Sequence, residues 1–251
     1  MLPQEKHVHQ APYALEIEDL SLAYQDEAVL WDIDLRIPRG RCCALIGPNG
    51  AGKSSLLLAA LDMLRPISGQ VRWLGSSFAQ MRRQIAYVPQ QSRVNWDFPI
   101  TVRDLVRMGR YPRLGFWQRL SAADRQQADD ALVRMGLQDL GERQIQELSG
   151  GQRQRAFLAR AICQQAEIYV LDEPLAGVDV ASEEAIMGCL QDFKQLGKSI
   201  IVVHHDLSSI PRYFDYAVLL KRRVLASGSP EEVLTAELLE TAYGTGGGQH
   251  V

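Results

Sequence analysis

Apolar and polar residues alternate through ALEIEDLSLAY and again through AVLWDIDLRI, the two-residue period of half-buried strands, with a polar turn at residues 25–27 between them. A small antiparallel layer is therefore expected at the start of the chain. Further on, alternation gives way to short continuous apolar runs at Cys42–Ile46, 168–171 and Ser199–Val203, which suit strands buried on both faces. Residues 70–74 and 85–89 read as further strands, and residues 216–220 and 224–226 as a hairpin through Lys221, Arg222 and Arg223. Helical spacing follows residue 53, begins again at Thr101 and Ser121, each with a capping box (Asp104 and Asp124), and returns over 150–164 and 182–196. Ser229 and Pro230 open a C-terminal helix. Strands alternating with helices define an α/β fold. It spans residues 14–243 as one domain, with a helical subdomain inserted at about 91–165 and flexible tails at 1–13 and 244–251.

Composition adds limits. With 251 residues, 46% apolar, the chain can bury a full core. No stretch approaches 18 uncharged apolar residues and MLPQEKHVHQ lacks the apolar centre of a signal peptide, so a cytosolic protein is expected. A net charge of -3 offers no broad footprint for nucleic acid. Cys42, Cys43, Cys163 and Cys189 lie in apolar patterns without C-x-x-C spacing and read as buried free thiols.

The chemistry concentrates where the first buried strand ends. Gly47, Pro48, Asn49, Gly50, Ala51, Gly52, Lys53 and Ser54 spell G-x-x-x-x-G-K-S, followed by Ser55 and a Leu/Ala-rich helix. Unpaired amides and the positive end of the helix dipole can wrap a di- or triphosphate, and the glycines let the backbone close in. Lys53 would reach the β- and γ-phosphates and Ser54 would bind the bridging Mg²⁺. Between His7 and Phe193 it is the one lysine among many arginines.

Ser149, Gly150, Gly151 and Gln152 open another helix and make a second anion cradle. Asp172 and Glu173 end the apolar run 168–171, where Asp172 can hold Mg²⁺ and Glu173 can take a proton from an attacking water. Gln90 ends the 85–89 strand and can offer an amide to the metal or the water. His204 and His205 follow Ser199–Val203, and alternation puts them on opposite faces, so one can reach a γ-phosphate. Tyr24 ends an early strand and could stack on a base. Arginines 103, 107, 110, 113 and 119 read as a solvated helix face or an acidic-partner surface, beside a loop, residues 96–99, that presents aromatic residues to solvent.

The ordered set GPNGAGKS, Gln90, LSGGQ, IYVLDE, residues 177–179 and HHD resembles the nucleotide-binding subunit of ABC transporters over roughly residues 14–240. The resemblance implies a P-loop NTPase cassette with a RecA-like core, and ATP with Mg²⁺ as ligands. It makes residues 47–54 the Walker A loop, Gln90 the Q-loop glutamine and residues 149–152 the signature. It makes Asp172 and Glu173 the Walker B aspartate and catalytic glutamate, Asp179 the D-loop aspartate, Tyr24 the adenine-stacking ring and His205 the switch histidine. It further implies a homodimer sandwiching two ATPs, peripheral on the cytoplasmic face of the cell membrane beneath two permease subunits. An extracytoplasmic binding protein would act only indirectly, and no nucleic acid is involved.

The segment VPQQSRVNWDFPITVRDLVRMGRY is similar to the importers of manganese, zinc and iron. Chelated-iron (siderophore or haem) and cobalamin importers share part of it and remain an alternative. So does a soluble ABC ATPase, for instance in iron-sulfur cluster assembly.

Overall fold

The computed structural model describes residues 11–24, 27–94, 96–114 and 118–244. Most of both expected tails, with His7 and His9, lies outside the described residues, as do Gln25, Asp26 and the side chain of Tyr24. In chain order the elements are β1 (Tyr13–Tyr24), β2 (Glu27–Pro38), β3 (Cys42–Ile46), α1 (Lys53–Ala60), β4 (Ser68–Trp73), α2 (Phe78–Met81) and β5 (Ile85–Val88). Then come α3 (Val102–Arg107), α4 (Ala122–Arg134), α5 (Gly150–Gln164), β6 (Ile168–Asp172), α6 (Val180–Gln195) and β7 (Ser199–Val203). The last are α7 (Ile210–Tyr213), β8 (Tyr216–Leu220), β9 (Val224–Gly228), α8 (Pro230–Val233) and α9 (Ala236–Tyr243). They fall into two compact bodies, one formed by the residues up to Met81 together with those from Phe193 on, the other by Arg82–Asp192.

In the first body β1 pairs antiparallel with β2 and β4. The alternation seen in sequence is kept: Leu30, Ile33, Leu35 and Ile37 of β2 are buried while Asp32, Asp34 and Arg36 between them face water. β3 pairs in parallel with β7 and β8, and β9 returns antiparallel along β8. All five residues of β3 and all five of β7 are buried, and this is why their sequences are apolar runs apart from Ser199, whose hydroxyl accepts from the Gly40 amide. The start of β3 is pinned by Asp215, whose Oδ1 accepts from the Cys42 amide at 2.8 Å and whose Oδ2 pairs with Lys194 at 3.1 Å. The end of α1 is tied to the antiparallel sheet by Trp73, fully buried, whose Nε1 donates to the Ala60 carbonyl at 2.7 Å. The one expected C-terminal helix is two. Ser229 caps α8 with a full capping box, Leu234 leaves helical geometry, and Thr235 accepts from the Leu238 amide to start α9.

In the second body β5 and β6 run parallel, Ile85 opposite Ile168. The four cysteines, two in each body, are free and buried. Burial pushes the thiols of Cys42 and Cys189 up to about 12, so they behave as small apolar side chains.

The helices of the second body correct two expectations. Ser121 and Asp124 complete their capping box, but the Thr101 box is half made. Thr101 accepts from the Asp104 amide, while the Asp104 carboxylate turns to Arg107 one turn along, at 3.3 Å.

The arginines divide: Arg119 faces solvent as a solvated face requires, while Arg103, Arg110 and Arg113 make contacts within the body. Arg110 is buried, its Nε on Asp124 at 2.8 Å and its Nη1 on the Cys163 carbonyl at 2.9 Å and Gln165 Oε1 at 3.2 Å. Arg113 donates to the carbonyls of Gln164 and Gln165, and Arg103 holds Glu142 and Asp129. The Arg110 and Arg113 guanidiniums satisfy the end of α5, whose last carbonyls have no partner inside the helix, and Arg110 clips it to the start of α4.

Candidate functional site

In the first body the turn between β3 and α1 is shaped by its glycines. Gly47 adopts φ 148, and a Cβ there would be driven into the Leu220 carbonyl. Gly50 adopts φ 78 beside open space, and Gly52, left-handed at φ 95, starts α1 without any side-chain cap. The amides at this end of α1 therefore remain addressed to a ligand by the helix dipole. The Lys53 side chain, 6% exposed, donates from Nζ to the carbonyls of Gly47 at 2.7 Å and Pro48 at 3.0 Å, holding its charge inside the loop.

Asn49 faces solvent, Pro48 is half-buried and Ala51 buried, while Ser54 and Ser55 occupy the first turn of α1, half-buried. The loop has a support that sequence reading missed: the Arg222 amide of the β8–β9 turn donates to the Ala51 carbonyl at 2.9 Å. Only strand pairing brings residue 222 to residue 51, so no local pattern could reveal it. Tyr24 sits at the end of β1 opposite Glu27.

Also in the first body, the two histidines separate as alternation requires. His204 is buried, its Nε2 at 2.6 Å from the Ser209 hydroxyl and its ring against Phe214, and burial lowers its pKa. His205 is exposed.

In the second body, Asp172 ends β6 with no exposure, and Glu173 follows in the left-handed region at φ 52, unusual for a side chain of that type. Gln90 leaves β5 and its Nε2 donates to Glu173 Oε2 at 2.6 Å, so two residues far apart in sequence meet. The Gln90 amide oxygen stays an acceptor. Arg93 Nη1 lies 3.6 Å from Asp172 Oδ2. A carboxylate so buried needs a positive charge beside it. With the neutral amide oxygen of Gln90 in the same body, its chemistry fits a hard divalent cation such as Mg²⁺.

The second glycine motif also lies in this body. Ser149 accepts from the Gln152 amide at 3.3 Å and Gln152 Oε1 accepts from the Ser149 amide at 3.0 Å, a complete capping box. A hydroxyl used as acceptor keeps its own proton for a ligand oxygen. Gly150 is exposed at the tip of α5; Gly151 is buried because Asp179 Oδ2 and Ser182 Oγ each come within 2.8 Å of where a Cβ would sit. Asp179 in turn accepts from the Ser182 amide and hydroxyl at 2.9 and 3.0 Å, which lowers its pKa.

The expectation for residues 96–99 divides. Trp96 is turned in: its Nε1 donates to the Gln91 carbonyl at 3.1 Å, its ring meets Phe157 edge-on at 5.4 Å, and Arg153 lies 4.9 Å over it. Phe98, 63% exposed, is the aromatic residue offered to solvent. Half-buried Trp and exposed Phe look alike in sequence, because the partner Phe157 is sixty residues away.

A glycine turn closing on a lysine at an uncapped helix start, with a buried aspartate and a glutamate at the end of another parallel strand, defines a nucleotide-hydrolysing α/β cassette of the P-loop class. Residues 30–176 match the family model described as ABC transporter. The zinc transport system ATP-binding protein TroB of Treponema pallidum is 50% identical, over 92% of this chain and 87% of its own length. The manganese transport system ATP-binding protein MntB of Bacillus subtilis is 47% identical, over 92% and 93%. Among solved structures, cbiO1 of Clostridium perfringens, part of the ABC transporter complex cbiONQ, superimposes with a TM-score of 0.74 at 29% identity, over 92% of this chain and 94% of its own. The chain belongs to the ABC transporter family, as an ATP-binding, ATP-hydrolysing subunit. Among the described residues no helix is long and apolar enough to cross a membrane.

Proposed function

We propose that the chain hydrolyses ATP to energise uptake of a transition metal ion, manganese, zinc or iron, through separate permease subunits. The observation that carries the metal reading is identity of 50% and 47% over nine-tenths of the chain to relatives named for zinc and manganese transport. The metal is cargo and would not touch this subunit. Tyr24 stacks on the adenine, residues 47–52 present amides to the phosphates, and Ser55 adds a hydroxyl in the first turn of α1. Lys53 exchanges its loop carbonyls for the β- and γ-phosphate oxygens. Ser54, Gln90 and Asp172 would hold Mg²⁺, which would supply positive charge against the phosphates. Glu173 orients the attacking water and accepts its proton, and His205, exposed at the end of β7, donates to the γ-phosphate.

Ser149, Gly150, Gly151 and Gln152 complete the site of a second copy in a homodimer, with Asp179 beside them. The open tip of α5, with its donor-capable Ser149 and buried Gly151, supports that arrangement. The assembly would lie on the cytoplasmic face of the membrane, on two permease subunits.

The test is metal accumulation in cells lacking this chain, compared across manganese, zinc and iron. A deficit in one metal, restored by the wild type and not by Glu173→Gln, is expected. Normal levels of all three would overturn the cargo reading. An unchanged ATP turnover in purified Glu173→Gln protein would overturn the assignment of the base.

A further inference from the structure

The short turn after β5 makes more contacts with the chemistry than the one residue the motif provides. Gln90 reaches Glu173, and Arg93, three residues on, reaches Asp172. Both carboxylates of the acid pair are thus held from a single turn. The same turn touches the second glycine motif, because Gln91 Nε2 donates to the Gly150 carbonyl at 3.2 Å. It also carries the aromatic segment, because the Gln91 carbonyl accepts from the Trp96 indole. Tyr87 belongs to the same cluster: burial and the Asp172 charge push its phenol up to about 12, with Arg93 pulling the other way.

The geometry points to Arg93 as the cationic stand-in that Mg²⁺ displaces from Asp172, so that metal loading of the nucleotide site releases the turn carrying Trp96 and Phe98. The inference rests on the reading of Asp172 as a Mg²⁺ ligand. A buried carboxylate keeps its charge only beside a positive partner. Arg93 is such a partner, at 3.6 Å and with a side chain 40% exposed that can swing out to water. A divalent cation held at the same carboxylate, through its water shell, would compete with the guanidinium for that charge and repel it. When Arg93 leaves Asp172, the turn loses one of its anchors on the acid pair and its hold on the segment through Gln91 loosens. Arg93 is a positioning residue: it acts on the metal through Asp172 and on the exposed Phe98 through the chain between them.

The full chain is studied with the non-hydrolysable analogue AMP-PNP, titrating Mg²⁺ and reading Trp96 fluorescence as the difference from Trp96→Phe. For the wild type the analogue alone is expected to leave the Trp96 signal in place and Mg²⁺ to shift it. Arg93→Gln should lower the half-saturating Mg²⁺ by up to about fivefold, the range of a partly exposed ion pair. It should also show the shifted signal before Mg²⁺ is added, while Arg93→Lys stays near the wild type. Asp172→Asn separates the two failures. If it raises the Mg²⁺ requirement while Arg93→Gln changes neither quantity, Asp172 is the ligand and the exchange is wrong. If Asp172→Asn leaves the requirement unchanged, the ligand reading falls and the exchange with it.

Discussion

Trp96 and Phe98 are two residues apart, both aromatic, and the structure assigns them opposite work. Replacing Trp96 by alanine removes an indole hydrogen bond to Gln91, an edge-on contact with Phe157 and the ring beneath Arg153. A net hydrogen bond contributes about 1 kcal/mol. The aromatic pair adds about 1 kcal/mol beyond area burial, and the cation over the ring about 0.5–1 kcal/mol. Trp96→Ala should therefore destabilise the protein by about 3 kcal/mol, which for a chain of this size is a fall in melting temperature of roughly 6–12 °C. Phe98, 63% exposed, has little packing to lose, and Phe98→Ala should stay within about 0.5 kcal/mol of the wild type.

If Phe98 meets the permease, its removal should instead cut metal uptake in cells while ATP binding by the isolated subunit is unchanged. Urea unfolding of the purified variants, set beside uptake measurements, reads both effects. A Trp96→Ala loss below about 1 kcal/mol would refute the packing argument, because no pair of those contacts could then be worth its usual magnitude. Full uptake with Phe98→Ala would remove the exposed ring from the transport reading.

Two further outcomes follow from the helical body. Arg110→Met keeps the bulk of the side chain but leaves Asp124 and the Cys163 carbonyl without their cationic donor; a loss of about 2–4 kcal/mol is expected in urea unfolding, with ATP affinity preserved. A loss under 0.5 kcal/mol would show the clip to be dispensable. Asp124 is held at about 2, below the ordinary 3.8, by the Ser121 hydroxyl and amide and by Arg110. Its contribution is present above about pH 4 and lost as pH falls toward 2. Asp124→Asn should flatten that acid limb of stability against pH, and an unchanged limb would assign acid sensitivity to other carboxylates.

Local pattern determined a great deal of this protein. β3 and β7 occupy the apolar runs expected of them, and α5 opens at Ser149 and runs to Gln164 as the capping signature indicates. These features depend on interactions within a few residues: periodicity, caps, and glycines that alone tolerate φ values such as those at Gly50 and Gly52. The family motifs were legible for the same reason, since phosphate binding by a loop needs fixed residue types at fixed spacing.

What only the tertiary structure decided depends on partners distant in sequence. It joined Gln90 to Glu173 and Arg93 to Asp172 across some eighty residues, and it set the Arg222 amide behind Ala51. It turned Arg110 and Arg113 into internal clips of α5, and it separated Trp96 from Phe98 by giving one of them Phe157 to lean on. An arginine or a tryptophan has the same sequence signature on a surface and in a clip. Its role is fixed by which acceptor or ring the folded chain brings within a few ångströms, and no single stretch of sequence contains both halves of such a contact.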